Sequence, residues 1–174
     1  MIIERLAIDE VALIRPERIR DARGFFAETF RRDQLAAEGL PHEFVQENHS
    51  FSRAAGTLRG LHYQVPPRAQ AKLVSVARGA ILDVAVDIRR GSPGFGRHVK
   101  AELSAEGGEQ VLIPSGFAHG FVTLEPDTEV VYKVSDIYAP DCSRGILWND
   151  PALAIDWGFA EEAVLSEKAR RLPP

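Results

Sequence analysis

The chain has 174 residues, of which 45% are hydrophobic and 26% are charged, as in an ordinary globular protein. That length suits one domain with a substantial core, so we expect a single domain over residues 1–174. The formal net charge of −4 argues against non-specific nucleic-acid binding, which requires a basic surface, although a local group of arginines could still bind a small anion.

Other features of the sequence indicate a cytoplasmic protein that does not enter a membrane. Cys142 is the only cysteine, so an internal disulfide is excluded and a reducing compartment fits. No apolar run approaches the roughly 20 residues that span a bilayer. The N-terminal segment MIIERLAIDE carries acids and lacks the basic start and cleavage site of a signal peptide.

Predicted strands outnumber predicted helices along the chain. The segment DQLAAEG predicts a helix with Asp33 as its N-cap and Gly39 as its C-terminal stop. Period-two alternation in KLVSVARG, AILDVAVDIR and EVVYKVSD then predicts strands, with turn-forming segments between them. A second short helix is predicted to begin at Ser166. The pattern favours an all-β sandwich or barrel with a few short helices.

Histidines raise the question of a metal centre. The sequence contains five, His42, His49, His62, His98 and His119. Small β-barrels that hold a metal often use an H-x-H pair on one strand, because residues i and i+2 face the same way. In LRGLHYQ the residue two places after His62 is Gln64, and no other metal-ligand pattern occurs. We therefore expect neither a metal nor another cofactor.

Covalent catalysis is not indicated either. There is no G-x-S-x-G elbow, Cys142 lies in the polar segment APDCSRG, and no glycine motif suits a phosphate. Acid–base chemistry and simple binding remain, and polar groups suited to both occur in DARGFFAE, FVQENHS and IPSGFAHGFVTL. Each has a structural alternative: Arg23 could be a surface charge beside a turn, and His119 could be a core histidine bonded to a carboxylate.

Taken together, six segments resemble a known family. They are, in chain order, DARGFFAE, FVQENHS, LRGLHYQ, AKLVSVARGAILDVAVDIRRGSPGFG, IPSGFAHGFVTL and ILWNDPALAIDW. They are similar to segments of the dTDP-4-dehydrorhamnose 3,5-epimerases, and the similarity runs from about residue 2 to residue 168. The resemblance implies a cupin-type β-barrel or jelly roll that needs no metal, commonly as a homodimer that shares strands between subunits. It implies no nucleic-acid or membrane partner.

The resemblance also implies a substrate, a dTDP-linked 4-keto-6-deoxyhexose, and a reaction at C3 and C5. The C4 ketone acidifies the hydrogens on both carbons. Removing one gives an enolate, and returning a proton from the opposite face inverts the centre. Such a reaction needs a base, an acid across the ring and a cation near the developing oxyanion.

Three side chains match the catalytic positions of the family, and two more match supporting positions. His62 matches the base, and its ordinary pKa of about 6.5 leaves it largely neutral near physiological pH. Lys72 matches the lysine that stabilises the enolate oxygen, and Tyr132 matches the acid on the other face. His119 and Asp83 match a supporting histidine–carboxylate pair that lines the site.

Further positions match the family's substrate-binding residues. Arg23 and Arg59 match residues that clamp the diphosphate, where a planar guanidinium can bind bidentately. Three polar residues match positions that contact the nucleotide end of the substrate: Glu28, Gln46 and Asn48. Phe26 and Tyr138 match aromatic positions near the thymine ring. The alternative is that both are ordinary core aromatics.

Two features of the sequence complicate these assignments. Arg59 and His62 are three residues apart and would face opposite ways on a regular strand, so we expect a bulge at Gly60 that turns both toward one pocket. The family also pairs its base with an aspartate in a segment like LSxKD, whereas this chain reads LSEKA, with Ala169 at that position. Glu167 is the nearest acid in sequence that could replace it.

Three functions therefore stay open from the sequence. The first is a 3,5-epimerase, and the second is a related enzyme that epimerises only C3 or C5. The third is a binding protein that keeps the nucleotide pocket without useful catalysis. Ala169 favours the third function, whereas the presence of His62, Lys72 and Tyr132 together argues against it.

Overall fold

The structure, a computed structural model, describes residues 1–158 and 163–174. The strands are β1 (Ile2–Arg5), β2 (Ala12–Arg15), β3 (Arg18–Asp21), β4 (Gly24–Ala27), β5 (Gln46–Ser52), β6 (Leu58–Gln64), β7 (Lys72–Arg78), β8 (Ala80–Asp87), β9 (His98–Ser104), β10 (Gln110–Ile113), β11 (Phe117–Thr123), β12 (Thr128–Val134) and β13 (Ser143–Gly145). The helices are α1 (Arg32–Ala37), α2 (Glu167–Arg170) and a 3-10 helix (Pro140–Cys142). The expectation of many strands and few short helices is confirmed.

Most strands form two antiparallel sheets. The large sheet has the order β1-β2-β10-β7-β12-β5, and the small sheet has the order β13-β6-β11-β8-β9. Apolar side chains of both sheets, such as Val74 and Val130 of the large one and Ile81 and Phe121 of the small one, form one buried cluster. Strands β3 and β4 pair only with each other, as a separate hairpin.

Strand β8 is buried on both faces, and its alternate residues belong to two different buried clusters. Ala85 contributes to the cluster shared by both sheets, whereas Val84 and Val86 pack on the outer side of the small sheet against Trp157. The inward face also carries Asp83, which is 2% exposed. A charge buried this far needs a partner, so this face is suited to a site rather than to packing alone.

The structure contains both helices that the sequence predicted. Leu35 of α1 packs on the outer face of the large sheet, and Gly39, with a φ of +65°, follows the helix as predicted. The prediction of Asp33 as N-cap is wrong: Arg31 takes that place, and the Asp33 carboxylate binds the Arg31 guanidinium from within the first turn. Ser166 caps α2 as predicted, by accepting a hydrogen bond from the Ala169 backbone N–H at 3.1 Å. Among the described residues, neither helix is long and apolar enough to cross a membrane.

Candidate active site

A cleft between the two sheets contains the side chains that were predicted to be catalytic. It consists of two adjoining cavities of about 460 Å³ and about 250 Å³, and both are lined by His62, Lys72 and Tyr132. Arg59 and His119 line only the larger cavity. The residues lining only the smaller cavity include Gln46, Asn48, Gln64, Tyr138 and Lys168. We call the two cavities together the cleft.

A bulge in β6 brings Arg59 and His62 to the same side, as predicted. His62 pairs with His119, and Arg59 pairs with Phe121. Between these two pairs β6 has two residues and β11 has one, so β6 contains one extra residue. Gly60 has a φ of +139°, and a Cβ there would collide with the Cα of Gly120 and lie 2.9 Å from the His119 carbonyl oxygen. Only glycine permits both that backbone conformation and the close approach of the two strands.

His62 lies in a cationic and partly buried environment. Burial is the main reason that its pKa falls to about 4, and the charges of Lys72, Lys168 and His119 lower it further. The imidazole is therefore neutral at physiological pH. Among the described residues, no side chain hydrogen-bonds its ring.

The position at which the resemblance predicts an aspartate holds a small apolar group. Ala169 is 3% exposed and lines the larger cavity. Glu167, the nearest acid in sequence, has a side chain that is 81% exposed and lies 3.7 Å from the Arg171 guanidinium. Glu167 thus points into solvent and does not replace the missing carboxylate.

Lys72 is buried next to the strand that carries His62. Its Nζ donates a hydrogen bond to the His62 backbone carbonyl oxygen at 3.2 Å. Burial lowers the pKa of Lys72 to about 8, and the negative charge of Asp83 opposes that change. The ammonium group therefore remains largely protonated at neutral pH.

His119 and Asp83 form a buried pair on adjacent strands of the small sheet. The Nε2 atom of His119 lies 2.7 Å from Oδ2 of Asp83, and their side chains are 6% and 2% exposed. His119 also lines the larger cavity. It is thus both a core histidine bonded to a carboxylate and a residue of the cleft, so the two alternatives drawn from the sequence are compatible.

Tyr132 reaches the cleft from the large sheet, whereas His62 belongs to the small sheet. On β12 it lies between Asn48 of β5 and Val74 of β7. Burial raises the pKa of its hydroxyl above the usual 10.0, although Arg59 opposes that change. The hydroxyl is therefore protonated at neutral pH and can donate a proton from the opposite sheet.

Four of the seven predicted binding residues line the cleft. Arg59 lines the larger cavity, and its guanidinium donates to the Phe51 carbonyl oxygen at 2.9 Å and to Ser52 Oγ at 3.1 Å. The predicted residues at the smaller cavity are Gln46, Asn48 and Tyr138.

Three predicted binding residues lie outside the cleft. They are Arg23, Phe26 and Glu28, on or directly after the β3–β4 hairpin. Phe26 is 66% exposed, and the Arg23 side chain is 90% exposed and forms an ion pair with Asp21 on the same hairpin. The structure therefore does not bring these residues together with His62.

The cleft also contains residues that the sequence analysis did not select. Ser50 continues the alternation of Gln46 and Asn48 on β5, and that period could have indicated it. Lys168 lies beside Ala169, and its charge lowers the pKa of His62, but nothing local in the sequence indicates this effect. Within the described part of the chain, no group of three or more potential metal ligands converges.

The arrangement is that of a site for proton transfer at a carbon next to a carbonyl group. It has a neutral base on one sheet, a protonated phenol on the other and a buried ammonium group beside the base. The fold and the cleft define a cupin-type jelly-roll protein. The sequence profile of the dTDP-4-dehydrorhamnose 3,5-epimerases matches residues 5–174, and the chain belongs to this family.

Individual relatives agree with this classification. A dTDP-4-dehydrorhamnose 3,5-epimerase from Pseudomonas aeruginosa is 52% identical over 168 residues, which cover 96% of this chain and 92% of the relative. The crystal structure of one from Bacillus anthracis, with TDP and PPi bound, has a TM-score of 0.95 at 46% identity and covers 98% of this chain and 97% of that one. A Legionella pneumophila structure in complex with dTDP-4-keto-L-rhamnose has a TM-score of 0.93 at 45% identity and covers 98% and 90%.

Proposed function

We propose that this chain epimerises C3 and C5 of a dTDP-linked 4-keto-6-deoxyhexose. The observation that carries the proposal is the position of His62 and Tyr132 on opposite sheets of one cleft, with the Lys72 ammonium group beside His62. Family membership and the nucleotide-sugar bound to the Legionella relative support the substrate class.

In the proposed reaction, His62 removes a proton from the carbon next to the C4 ketone. The C–H electron pair forms a double bond to C4 while the C4–O π pair moves onto the oxygen, and the Lys72 ammonium group stabilises the resulting enolate oxygen. Tyr132 then gives its proton to the carbon from the opposite face, and the C4 carbonyl group forms again. Before the second carbon reacts, His62 releases its proton to solvent, and the Tyr132 phenolate takes a proton from solvent.

The remaining residues of the cleft hold the substrate in this proposal. His119, oriented by Asp83, contacts the sugar near the reacting carbons. Arg59 binds the diphosphate, and its bond to Ser52 fixes the guanidinium in the larger cavity. At the smaller cavity, Gln46, Asn48 and Tyr138 form the nucleotide end.

We also propose that the working unit is a homodimer and that the β3–β4 hairpin completes the site of the partner. The hairpin belongs to neither sheet and exposes Ile19, Phe25 and Phe26, which are 64%, 54% and 66% exposed. Such an apolar surface is typical of a subunit contact. In the dimer, Arg23 binds the diphosphate in the partner's cleft, while Phe26 and Glu28 contact the nucleotide there.

The proposal has further components that follow from the sequence. The chain acts as one domain over residues 1–174 in the cytoplasm, without a metal or other cofactor. Its ligand is a small sugar nucleotide, and neither nucleic acid nor a membrane takes part.

Deuterium incorporation tests the proposed function. The protein is incubated with dTDP-4-keto-6-deoxyglucose in deuterated water, and NMR follows deuterium at each sugar carbon. We expect incorporation at both C3 and C5, with inverted products. Incorporation at only one carbon would indicate the mono-epimerase instead, and dTDP binding without any incorporation would indicate the binding protein.

A further inference from the structure

The backbone that carries Tyr138 is held by side-chain amides rather than by a sheet. We call residues 136–139 the Tyr138 segment; it lies between the end of β12 and the 3-10 helix. Gln64 contacts it twice, because its Nε2 donates to the Ile137 carbonyl oxygen at 3.2 Å and its Oε1 accepts from the Ala139 N–H at 2.8 Å. One buried glutamine thus binds the residues on both sides of Tyr138.

Two other glutamines hold the rest of the Tyr138 segment. Oε1 of Gln46 accepts from the Tyr138 backbone N–H at 2.9 Å. Nε2 of Gln70 donates to the Asp136 carbonyl oxygen at 2.7 Å. Four consecutive residues are therefore bound by three amide side chains, and all three glutamines line the smaller cavity.

The Gln64 side chain is buried, and its amide group is hydrogen-bonded to backbone. It is 6% exposed, and its Nε2 also donates to the Arg68 carbonyl oxygen at 2.6 Å. Both Nε2 hydrogens are therefore used by backbone carbonyl groups, and donating to a ligand would break a buried hydrogen bond. Such a group is suited to holding protein backbone rather than substrate.

The Tyr138 side chain needs this support. It is 54% exposed and belongs to none of the buried apolar clusters of the described residues. Packing therefore does not fix its position, and the backbone bonds on either side do. Gln64 lies two residues after His62 on β6, so one strand sets the positions of both the base and the Tyr138 segment.

We propose that Gln64 is a positioning residue that holds Tyr138 in place for the nucleotide base, with Gln46 as the second contact. The inference rests on the proposed role of Tyr138 at the thymine ring. A fixed aromatic ring loses little conformational freedom on binding, so Gln64 contributes to nucleotide affinity and not to proton transfer. Gln64 thereby occupies, with a structural function, the position where an H-x-H metal site would have its second histidine.

Fluorine NMR of the ligand-free protein tests the positioning directly. The chain has three tyrosines, Tyr63, Tyr132 and Tyr138, so 3-fluorotyrosine gives three resonances, which Tyr→Phe variants assign. Gln64→Met keeps the side-chain volume and removes the hydrogen bonds. We expect the Tyr138 resonance to narrow and move toward the free amino acid, while the Tyr132 resonance stays in place.

Two further variants control this measurement. Gln110→Met removes another buried glutamine, which lines a different cavity, and should leave the Tyr138 resonance unchanged. Gln64→Glu keeps an acceptor for the Ala139 N–H and should give an intermediate effect if Gln64→Met disturbs folding. An unchanged Tyr138 resonance in both Gln64 variants would overturn the proposal.

A double-mutant cycle then connects the position of Tyr138 to affinity. We expect Gln64→Met to raise the Kd for dTDP about tenfold and to leave kcat nearly unchanged. In a Tyr138→Ala background the same change should have no further effect, because there is no ring left to position. Additive effects would contradict the proposal. If Tyr138→Ala alone leaves the Kd unchanged, the proposed thymine contact fails, whereas the fluorine spectrum still decides whether Gln64 holds the segment.

Discussion

The Lys72 Nζ lies 3.2 Å from the carbonyl oxygen of His62, so the proposed oxyanion group and the proposed base are joined through the backbone of β6. This contact fixes the ammonium group beside the base without using the imidazole ring. It also places a positive charge where it disfavours protonation of His62.

The resulting pKa values predict the pH dependence of kcat/KM. His62 is active when neutral, so activity should fall as the pH falls through about 4. Lys72 is active when protonated, so activity should also fall as the pH rises through about 8. A profile of kcat/KM from low to high pH checks both limbs. An acid limb near the ordinary histidine pKa of about 6.5 would contradict the environment described for His62.

Replacing Ala169 by aspartate should strengthen the base. A carboxylate next to His62 favours the imidazolium, so the pKa of His62 rises and the acid limb of the profile moves to higher pH. We expect deuterium exchange at neutral pH to quicken about tenfold, because a base of higher pKa accepts the proton more readily. Ala169→Asn adds similar volume without the charge and is the control. Equal rates in all three proteins would mean that another group already assists His62.

The bulge at Gly60 should be essential for both stability and activity. Gly60→Ala introduces a collision with the Gly120 backbone at a φ of +139°, and we expect it to destabilise the fold by about 3 kcal/mol or more. Gly91→Ala is the matched control, since Gly91 has a φ of +87° but open space around it, and should cost about 1 kcal/mol. Denaturant unfolding of the two variants measures the difference. Equal losses would show that the close approach to β11 is unimportant.

The proposed hairpin exchange predicts complementation between inactive subunits. In a mixed dimer of His62→Ala and Arg23→Ala chains, one cleft has both changes and the other has neither, if Arg23 acts in the partner's site. Mixing the two proteins in equal amounts after dissociation should therefore restore about a quarter of the wild-type rate. If Arg23 acts in its own subunit, both clefts of the mixed dimer remain defective and no activity returns.

The sequence predicted the parts of this structure that depend on local pattern. Alternation identified the strands, because side-chain direction follows directly from the period of two. The glycine between Arg59 and His62 predicted the bulge, because only that residue type tolerates the backbone required there. By contrast, Asp33 was wrongly assigned as an N-cap, since its carboxylate binds Arg31 two residues earlier.

Long-range contacts were beyond prediction from pattern alone. The glutamines that hold the Tyr138 segment are separated from it by 66 to 92 positions, and nothing near any of them indicates the partner. Likewise, the sequence predicted Arg23, Phe26 and Glu28 as binding residues but could not indicate that they lie outside the cleft. Both facts depend on how distant segments are arranged in space.

The most direct test of the central claim is deuterium exchange at C3 and C5 by the His62→Ala variant. His49→Ala is the matched control, because His49 pairs with Glu129 at 2.9 Å and does not line the cleft. We predict that His62→Ala loses exchange at both carbons by a factor of about 10²–10⁴ while still binding dTDP, and that His49→Ala exchanges normally. Normal exchange by His62→Ala at either carbon would contradict the assignment of His62 as the base.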